Sequence, residues 1–244
     1  MKILGIDISS TCTGWALIEN DQLLEFNKVM PTKHMSLGQK LCLFGTELNK
    51  IIEKYKPDEI AVEDVVQCSS VSVTKILSRF NGVALIEAYK YLQRDAELYT
   101  PSEWKKHLEG CTGSAKKAEI QLSICKKYNL LAQEKIKFYQ DRIDKCKSLL
   151  GESKEKVKDE QKAQLKQLKK DLKRAKKDSD NNQIEILKEK IKSLMNDRFT
   201  KSKANKKIVN EEFDKISLDI YSETSIDDNV ADAAGVAITL QMHK

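Results

Sequence analysis

The feature that most constrains this chain is a long basic segment, residues 131–216, which contains one Gly and no Pro. Its apolar residues recur at alternating steps of three and four, first over 136–150, then over 165–175 and again over 184–194. That spacing collects them on one narrow stripe, the seam of a coiled coil. The polar run Asp178-Ser179-Asp180-Asn181-Asn182 interrupts the stripe and is typical of a turn. The pattern predicts an antiparallel helical hairpin, with a single charged helix or a disordered arm as the alternative.

Charge divides the chain at the same place. Residues 131–216 carry 25 Lys and Arg against 16 Asp and Glu, a net charge of +9, whereas the remainder carries 18 against 21, a net charge of −3. The formal charge of +6 is therefore the average of a mildly acidic body and a basic insertion that an anionic polymer would meet. We predict two domains, residues 1–130 with 217–244 and the insertion 131–216.

Several broad classes of protein are excluded by composition. No apolar run approaches the roughly 20 residues that span a bilayer, and the opening residues turn polar too early for a secretory signal. The six Cys are scattered singly, without a C-x-x-C motif, so neither a zinc site nor a disulfide framework is indicated. A reducing, cytoplasmic location fits this cysteine usage best.

The body opens with three predicted strands, KILGIDI, TGWALIEN and QLLEFNKVM, with Asn20-Asp21 as a tight turn between the last two. In the first strand Ile3, Gly5 and Asp7 fall on one face at period two. A carboxylate thus lies on a strand that otherwise looks buried. Burial of a lone carboxylate costs several kcal/mol unless it is paired or bound to a cation, so Asp7 needs a partner.

Two further acidic positions stand out. Predicted helices over about 36–55 and 71–92 flank the strand EIAVEDV, in which Glu63 lies at the carboxyl end, where open α/β sheets place their ligands. The final predicted helix has a small-residue face, with Asp228 and Asp232 four residues apart on one side. Asp228 fits equally well as the acid of a capping box that starts at Ser225, whereas Asp232 lies past the first turn.

These acids have no matching catalytic His, Ser or Cys constellation. Hard oxygen ligands suit Mg²⁺ or Mn²⁺, held by a few carboxylates plus substrate phosphate. Two such ions can activate a water and stabilise the leaving oxygen in a displacement at phosphorus. The chemistry indicated is therefore phosphodiester hydrolysis, with the basic insertion as an electrostatic hold on a nucleic-acid backbone.

Four motifs in series, GIDISSTCTGWALI, IAVEDVV, GSAKKAEIQ and ADAAGVAIT, resemble the RuvC-type Holliday junction resolvases of the RNase H-like superfamily. The resemblance covers residues 1 to about 129 and 217–243. It implies an α/β fold with a five-stranded mixed sheet flanked by helices, and a homodimer. We expect neither a nucleotide cofactor nor a membrane partner. It further implies symmetric nicking of four-way DNA junctions with Mg²⁺, leaving 5′-phosphate and 3′-hydroxyl ends, with Mn²⁺ as a possible substitute.

The resemblance also assigns roles to individual acids. Asp7 matches the first-strand acid that bridges two metal ions, Glu63 the second acid and Asp232 the acid of the last helix. The family often has an acid three residues before the last one, where this sequence has Asn229. Either Asn229 ligates through its amide oxygen or Asp228 takes that role.

Basic residues match as well, with departures around them. Lys105 and Lys117 match positions that in the family lie near the scissile phosphate or its backbone, and Lys116 precedes the second of these. The loop after Glu63 often carries an aromatic wedge in the family, whereas Val66-Gln67 stands there in this chain. The basic insertion is outside the family pattern, which leaves open whether it binds DNA or extends the dimer contact. Such a decorated version suggests a phage or viral source.

Three rival functions remain. The opening GID with Ser-Ser-Thr also resembles the first phosphate loop of actin-like kinases and ATPases, but the chain has only nine scattered Gly and no Gly-Gly pair for further nucleotide loops. A non-catalytic protein that holds branched DNA would leave the acids idle. A nuclease of the same fold could instead act on flaps, forks or RNA:DNA hybrids.

Overall fold

The computed structural model describes residues 1–67, 70–177 and 181–244 and divides into two compact units. In the first unit, Met1–Tyr139 with Ile216–Lys244, five strands form one mixed sheet in the order β3-β2-β1-β4-β5. The strands are β1 (Lys2–Asp7), β2 (Thr13–Glu19), β3 (Gln22–Val29), β4 (Glu59–Glu63) and β5 (Glu97–Tyr99). β1 pairs antiparallel with β2 and parallel with β4. The predicted five-stranded mixed sheet is confirmed.

Helices cover both faces of this sheet. They are α1 (Leu37–Tyr55), α2 (Val71–Leu92), α3 (Pro101–Trp104), α4 (Lys117–Lys127) and α7 (Asp228–His243). Leu4 and Ile6 of β1 belong to a core with residues of α1 and α2, while Ile3 of the same strand belongs to a core with α7. The period-two alternation of β1 therefore assigns Asp7 to the face that α7 covers. No helix among the described residues is long and apolar enough to cross a bilayer.

The turn between β2 and β3 follows from two residues. Asn20 and Asp21 both have positive φ, 48° and 61°, and Glu19 pairs with Gln22 across the turn. Asn and Asp tolerate this left-handed conformation, which a two-residue hairpin turn needs to match the strand twist. The tight turn predicted from Asn20-Asp21 is confirmed.

Close approach of α7 to the sheet depends on two glycines. A Cβ on Gly5 would lie 2.1 Å from the carbonyl oxygen of Ala233, and one on Gly14 would lie 2.2 Å from that of Asn229. Real Cβ atoms do not come so close to other atoms. Both positions therefore require Gly if α7 is to pack directly on β1 and β2. This packing brings the amino-terminal part of α7 to the end of β1.

The second unit, Gln140–Lys215, is built from α5 (Gln133–Lys177) and α6 (Asn181–Thr224). Arg142 pairs with Glu212 at 2.6 Å, and further along Leu168 and Leu194 line one groove between the helices. The two helices therefore run antiparallel, as in the predicted hairpin. Of its predicted turn, residues 178–180 lie outside the described residues, and α6 begins at Asn181. The division into a nuclease domain and a basic insertion stays a prediction.

Candidate active site

Three of the predicted acids meet at one edge of the sheet. Asp7 ends β1, Glu63 ends β4 and Asp232 lies in the second turn of α7. The parallel register pairs Ile6 with Val62, so the next residues, Asp7 and Glu63, leave neighbouring strands together. Each carboxylate offers one oxygen, and the three oxygens lie within 4.8 Å of one another. Among the described residues this is the only group of three or more His, Cys, Asp or Glu side chains close enough to share a cation.

The start of α7 is fixed by Asp227. Its Oδ1 accepts from the backbone N–H of Val230 at 2.9 Å, and its Oδ2 pairs with Lys28 of β3 at 2.5 Å. Asp227 is therefore the N-cap, and the alternative in which Asp228 completes a capping box from Ser225 is wrong. Ser225 has a φ of 60° and lies outside the helix. Asp228 is the first helical residue, and its carboxylate does not cap the helix.

Trp104 holds one oxygen of Glu63. Its indole Nε1–H donates to Glu63 Oε2 at 2.9 Å, and its ring is fully buried against Gly235 of α7. Sequence reasoning missed this hydrogen bond. No sequence pattern predicts the hydrogen bond, because it depends on where β4 and α3 meet in space.

Burial and mutual repulsion disfavour the ionised forms of the three acids. Burial raises the pKa of Asp7 and of Asp232 well above the usual range, and the Glu63 carboxylate raises both further. Burial also raises the pKa of Glu63, against the opposing effects of the Trp104 hydrogen bond and the Lys105 charge. Asp232 Oδ1 is buried without a hydrogen-bond partner. A donor set of this kind suits a hard divalent cation, which would satisfy the orphaned oxygen and offset the clustered charge.

The predicted basic residues surround this cluster in different ways. Lys117 pairs with Asp228, and that pair lies near the three acids, since the Asp228 charge raises the pKa of Asp7 and Asp232. The Lys105 ammonium lies 5.2 Å from the Trp104 ring centroid, and its charge lowers the pKa of Asp7, Glu63 and Asp232. The Lys116 side chain is exposed. Lys105 and Lys117 thus lie next to the acids, and Lys116 precedes α4.

Asn229 faces another neighbour. Its side-chain Nδ2 donates to the Cys12 sulfur at 3.5 Å. Asp228 does not belong to the three-acid group, but its charge acts on Asp7 and Asp232.

The similarity to a known protein family covers the amino-terminal part of the chain. The family model of the crossover junction endodeoxyribonuclease RuvC matches residues 3–143. A relative of that name from Dehalococcoides mccartyi is 32% identical over 125 residues, which cover 50% of this chain and 74% of the relative. Another from Ruminiclostridium cellulolyticum is 29% identical over 136 residues, which cover 54% and 81%.

The Thermus thermophilus RuvC structure is 20% identical with a TM-score of 0.46, covering 53% of this chain and 81% of that one. The family model spans Asp7, Glu63, Lys105, Lys116 and Lys117 but ends before α7. The chain belongs to the RuvC family of crossover junction endodeoxyribonucleases.

Proposed function

We propose that this protein is a divalent-metal-dependent endonuclease that resolves four-way DNA junctions by paired, symmetric nicks. The observation that carries the proposal is the meeting of Asp7, Glu63 and Asp232 within 4.8 Å, in a chain of a family named for crossover junction cleavage. A homodimer supplies two such sites, one for each nicked strand. The products carry 5′-phosphate and 3′-hydroxyl ends.

Asp7, Glu63 and Asp232 would hold two Mg²⁺ ions, or Mn²⁺ in their place. Bound ions of this kind supply an activated water and stabilise the leaving oxygen at phosphorus. Support comes from the buried Asp232 oxygen without a partner and from the raised pKa of Asp7 and Asp232, because both features are relieved by a bound cation.

The basic residues would act on the DNA strand. Lys105 lies close enough to lower the pKa of all three acids, so its ammonium can also neutralise a phosphate held there. Lys117 can exchange its partner Asp228 for a phosphate oxygen when DNA enters, which frees Asp228 for the cluster. Lys116, exposed at the start of α4, can contact the backbone further along.

The direct test is cleavage of an end-labelled synthetic four-way junction in Mg²⁺ and in EDTA, beside flap, fork and linear duplex substrates. We expect symmetric nicks on the junction that disappear with EDTA. Tight binding without cutting in Mg²⁺ or Mn²⁺ would favour the architectural alternative. Faster cutting of a flap, fork or RNA:DNA hybrid would keep the nuclease but change its substrate.

The fourth ligand can be identified with two neighbouring variants. We expect Asp228→Asn to slow single-turnover cleavage about 100-fold and to raise the Mg²⁺ concentration at half-maximal rate, since its charge is coupled to Asp7 and Asp232. Asn229→Ala should stay within about threefold of wild type, because the Asn229 amide is engaged with Cys12. The reverse ranking would assign the ligand to Asn229.

Trp104 is expected to position Glu63. Trp104→Phe keeps a buried ring but removes the donor to a carboxylate, a bond worth about 1.5–3 kcal/mol, so we expect cleavage to slow roughly 10- to 100-fold. The metal titration should shift to higher Mg²⁺ as Glu63 loses its fixed orientation. Trp15→Phe is the control, since Trp15 packs against Tyr55 of α1 in the core on the opposite face of the sheet from α7. If both variants lose the same stability and neither shifts the metal titration, Trp104 is only a core residue.

A further inference from the structure

The net positive charge of the α5–α6 unit is confined to its distal segment, which we define as residues 162–203. By sequence this segment holds 14 Lys and Arg against 6 Asp and Glu, whereas the rest of the unit, residues 140–161 and 204–215, holds 9 of each. The whole excess of +8 therefore lies in the distal segment. If the charge served only to keep the coiled coil soluble, we would expect the basic residues to be mixed evenly with acids along both helices.

The described side chains of the distal segment present this charge to solvent. Over 163–174 and 183–195 every basic side chain is exposed, and none of them forms an ion pair with a described acid. They are Lys166, Lys169, Lys170, Lys173, Arg174, Lys188, Lys190 and Lys192. In the proximal part, by contrast, Arg142 pairs with Glu212 and Lys207 with Glu211. The eight described distal cations thus lack ion pairs with described acids, whereas two of the proximal cations have them.

Four of the distal cations share one helix face. Lys166, Lys169, Lys170 and Lys173 follow one another at steps of three, one and three, so they cover adjacent positions over about two turns of α5. The span is about 10 Å of helix axis. Duplex DNA carries one charge per roughly 1.7 Å of its axis, so about six phosphate charges fall within that length.

The apolar stripe of the segment is already used by the hairpin itself. Leu187 is buried, and Leu168 and Leu194 line the groove between α5 and α6. Of the large apolar side chains that the structure describes in this segment, Ile186 and Met195 are exposed, and two such side chains do not make the continuous apolar face with which a helix lies in a membrane surface. A second copy of the segment would bring like charges together and be repelled.

We infer that the distal segment is a second DNA-binding surface, which holds the phosphate backbone of duplex DNA without reading its sequence. The inference rests on the proposed function only in taking DNA as the polyanion. Backbone binding of this type depends on the number of cations and on salt rather than on base edges. It would add affinity for the duplex arms of a junction independently of the acid cluster.

The test compares two matched sets of four Lys→Gln changes, because Gln removes the charge and keeps a good helix former. The distal set is Lys166, Lys169, Lys170 and Lys173, and the control set is the equally exposed Lys145, Lys206, Lys207 and Lys215. Binding of a fluorescent four-way junction and of a linear duplex is measured by anisotropy in EDTA over a range of NaCl. Circular dichroism and thermal melting check that both sets remain folded.

We expect the distal set to weaken binding of both DNAs at least tenfold at 100 mM salt and to reduce the slope of log Kd against log salt by about 3–4. The control set should change the slope by less than about 1. Lys→Arg at the four distal positions should restore it, because the charge is kept. Equal effects of the two Gln sets, or an unchanged slope in the distal set, would overturn the inference.

Other occupants give different results. If the distal set loses binding only to vesicles that contain phosphatidylserine, or only dissociates copies of the chain in sedimentation, the surface serves a membrane or a dimer and the inference is wrong. Since the assay runs in EDTA, a chain that never cuts still tests this surface. Conversely, a normal salt slope with no cutting in Mg²⁺ would reject the proposed function and leave the surface standing.

Discussion

Asp7→Asn is expected to reduce the single-turnover rate of junction cleavage at least ~10³-fold while junction affinity stays within about threefold of wild type. The change keeps the shape of the side chain but removes one of the three charges that converge within 4.8 Å. Because a bound cation supplies several kcal/mol of transition-state stabilisation, its weakened hold should appear in the rate rather than in DNA binding.

The same loss is expected for Asp232→Asn, although this acid comes from the other end of the chain. If both acids hold the same ions, the double variant should be little slower than either single variant, since groups that act as a unit are not additive. Asp95→Asn is the control, because Asp95 is exposed in the loop before β5. An Asp7→Asn protein that still cuts near the wild-type rate would show that the cluster is not the catalytic centre.

Much of this arrangement was predictable because local patterns and the fold agree. The period-two alternation of KILGIDI assigned Asp7 to one face of β1, and the face it shares with Ile3 is the one that α7 covers. Glu63 was predictable as a strand-end acid, since neighbouring parallel strands deliver their carboxyl ends to one edge. The stripe of 131–216 predicted the antiparallel α5 and α6.

What could not be predicted depends on contacts between distant residues. Asp227 rather than Ser225 caps α7, and its second oxygen pairs with Lys28, 199 residues away. The bond from Trp104 to Glu63 joins residues 41 apart whose partnership no periodicity encodes. In the sequence, α5 and α6 separate Asp232 from the other two acids, and the family match ends at residue 143. Its place in the cluster follows from Gly5 and Gly14, which let α7 lie on the sheet.

Without a bound cation, the acid cluster should lower the free energy of unfolding. In EDTA at pH 8 we expect Asp7→Asn to melt a few degrees above wild type, because the substitution removes a buried charge whose neighbours are also acids. One kcal/mol corresponds to about 2–4 °C in a chain of this size. Asp232→Asn should behave alike, since Asp232 is also buried beside Glu63. Asp95→Asn should leave the melting temperature unchanged.

The sign of the pH dependence follows from the raised pKa of Asp7 and Asp232. A carboxyl whose folded pKa lies above its unfolded value keeps its proton longer in the folded state, so the free energy of unfolding falls as pH rises between the two values and stays low above them. The advantage of the Asn variants should therefore be small near pH 4 and largest at pH 8.

Addition of Mg²⁺ reverses this order. A cation bound only by the folded chain stabilises it by mass action, and it binds best when the acids are ionised. Wild type should therefore gain several degrees on addition of 10 mM Mg²⁺ at pH 8 and less at pH 5, whereas Asp7→Asn and Asp232→Asn gain little at either pH. Thermal melts of wild type and both variants, in EDTA and in Mg²⁺ at the two pH values, measure these differences in melting temperature. Equal gains in wild type and both variants would show that the ion binds elsewhere, because only the wild-type cluster carries the full set of charges.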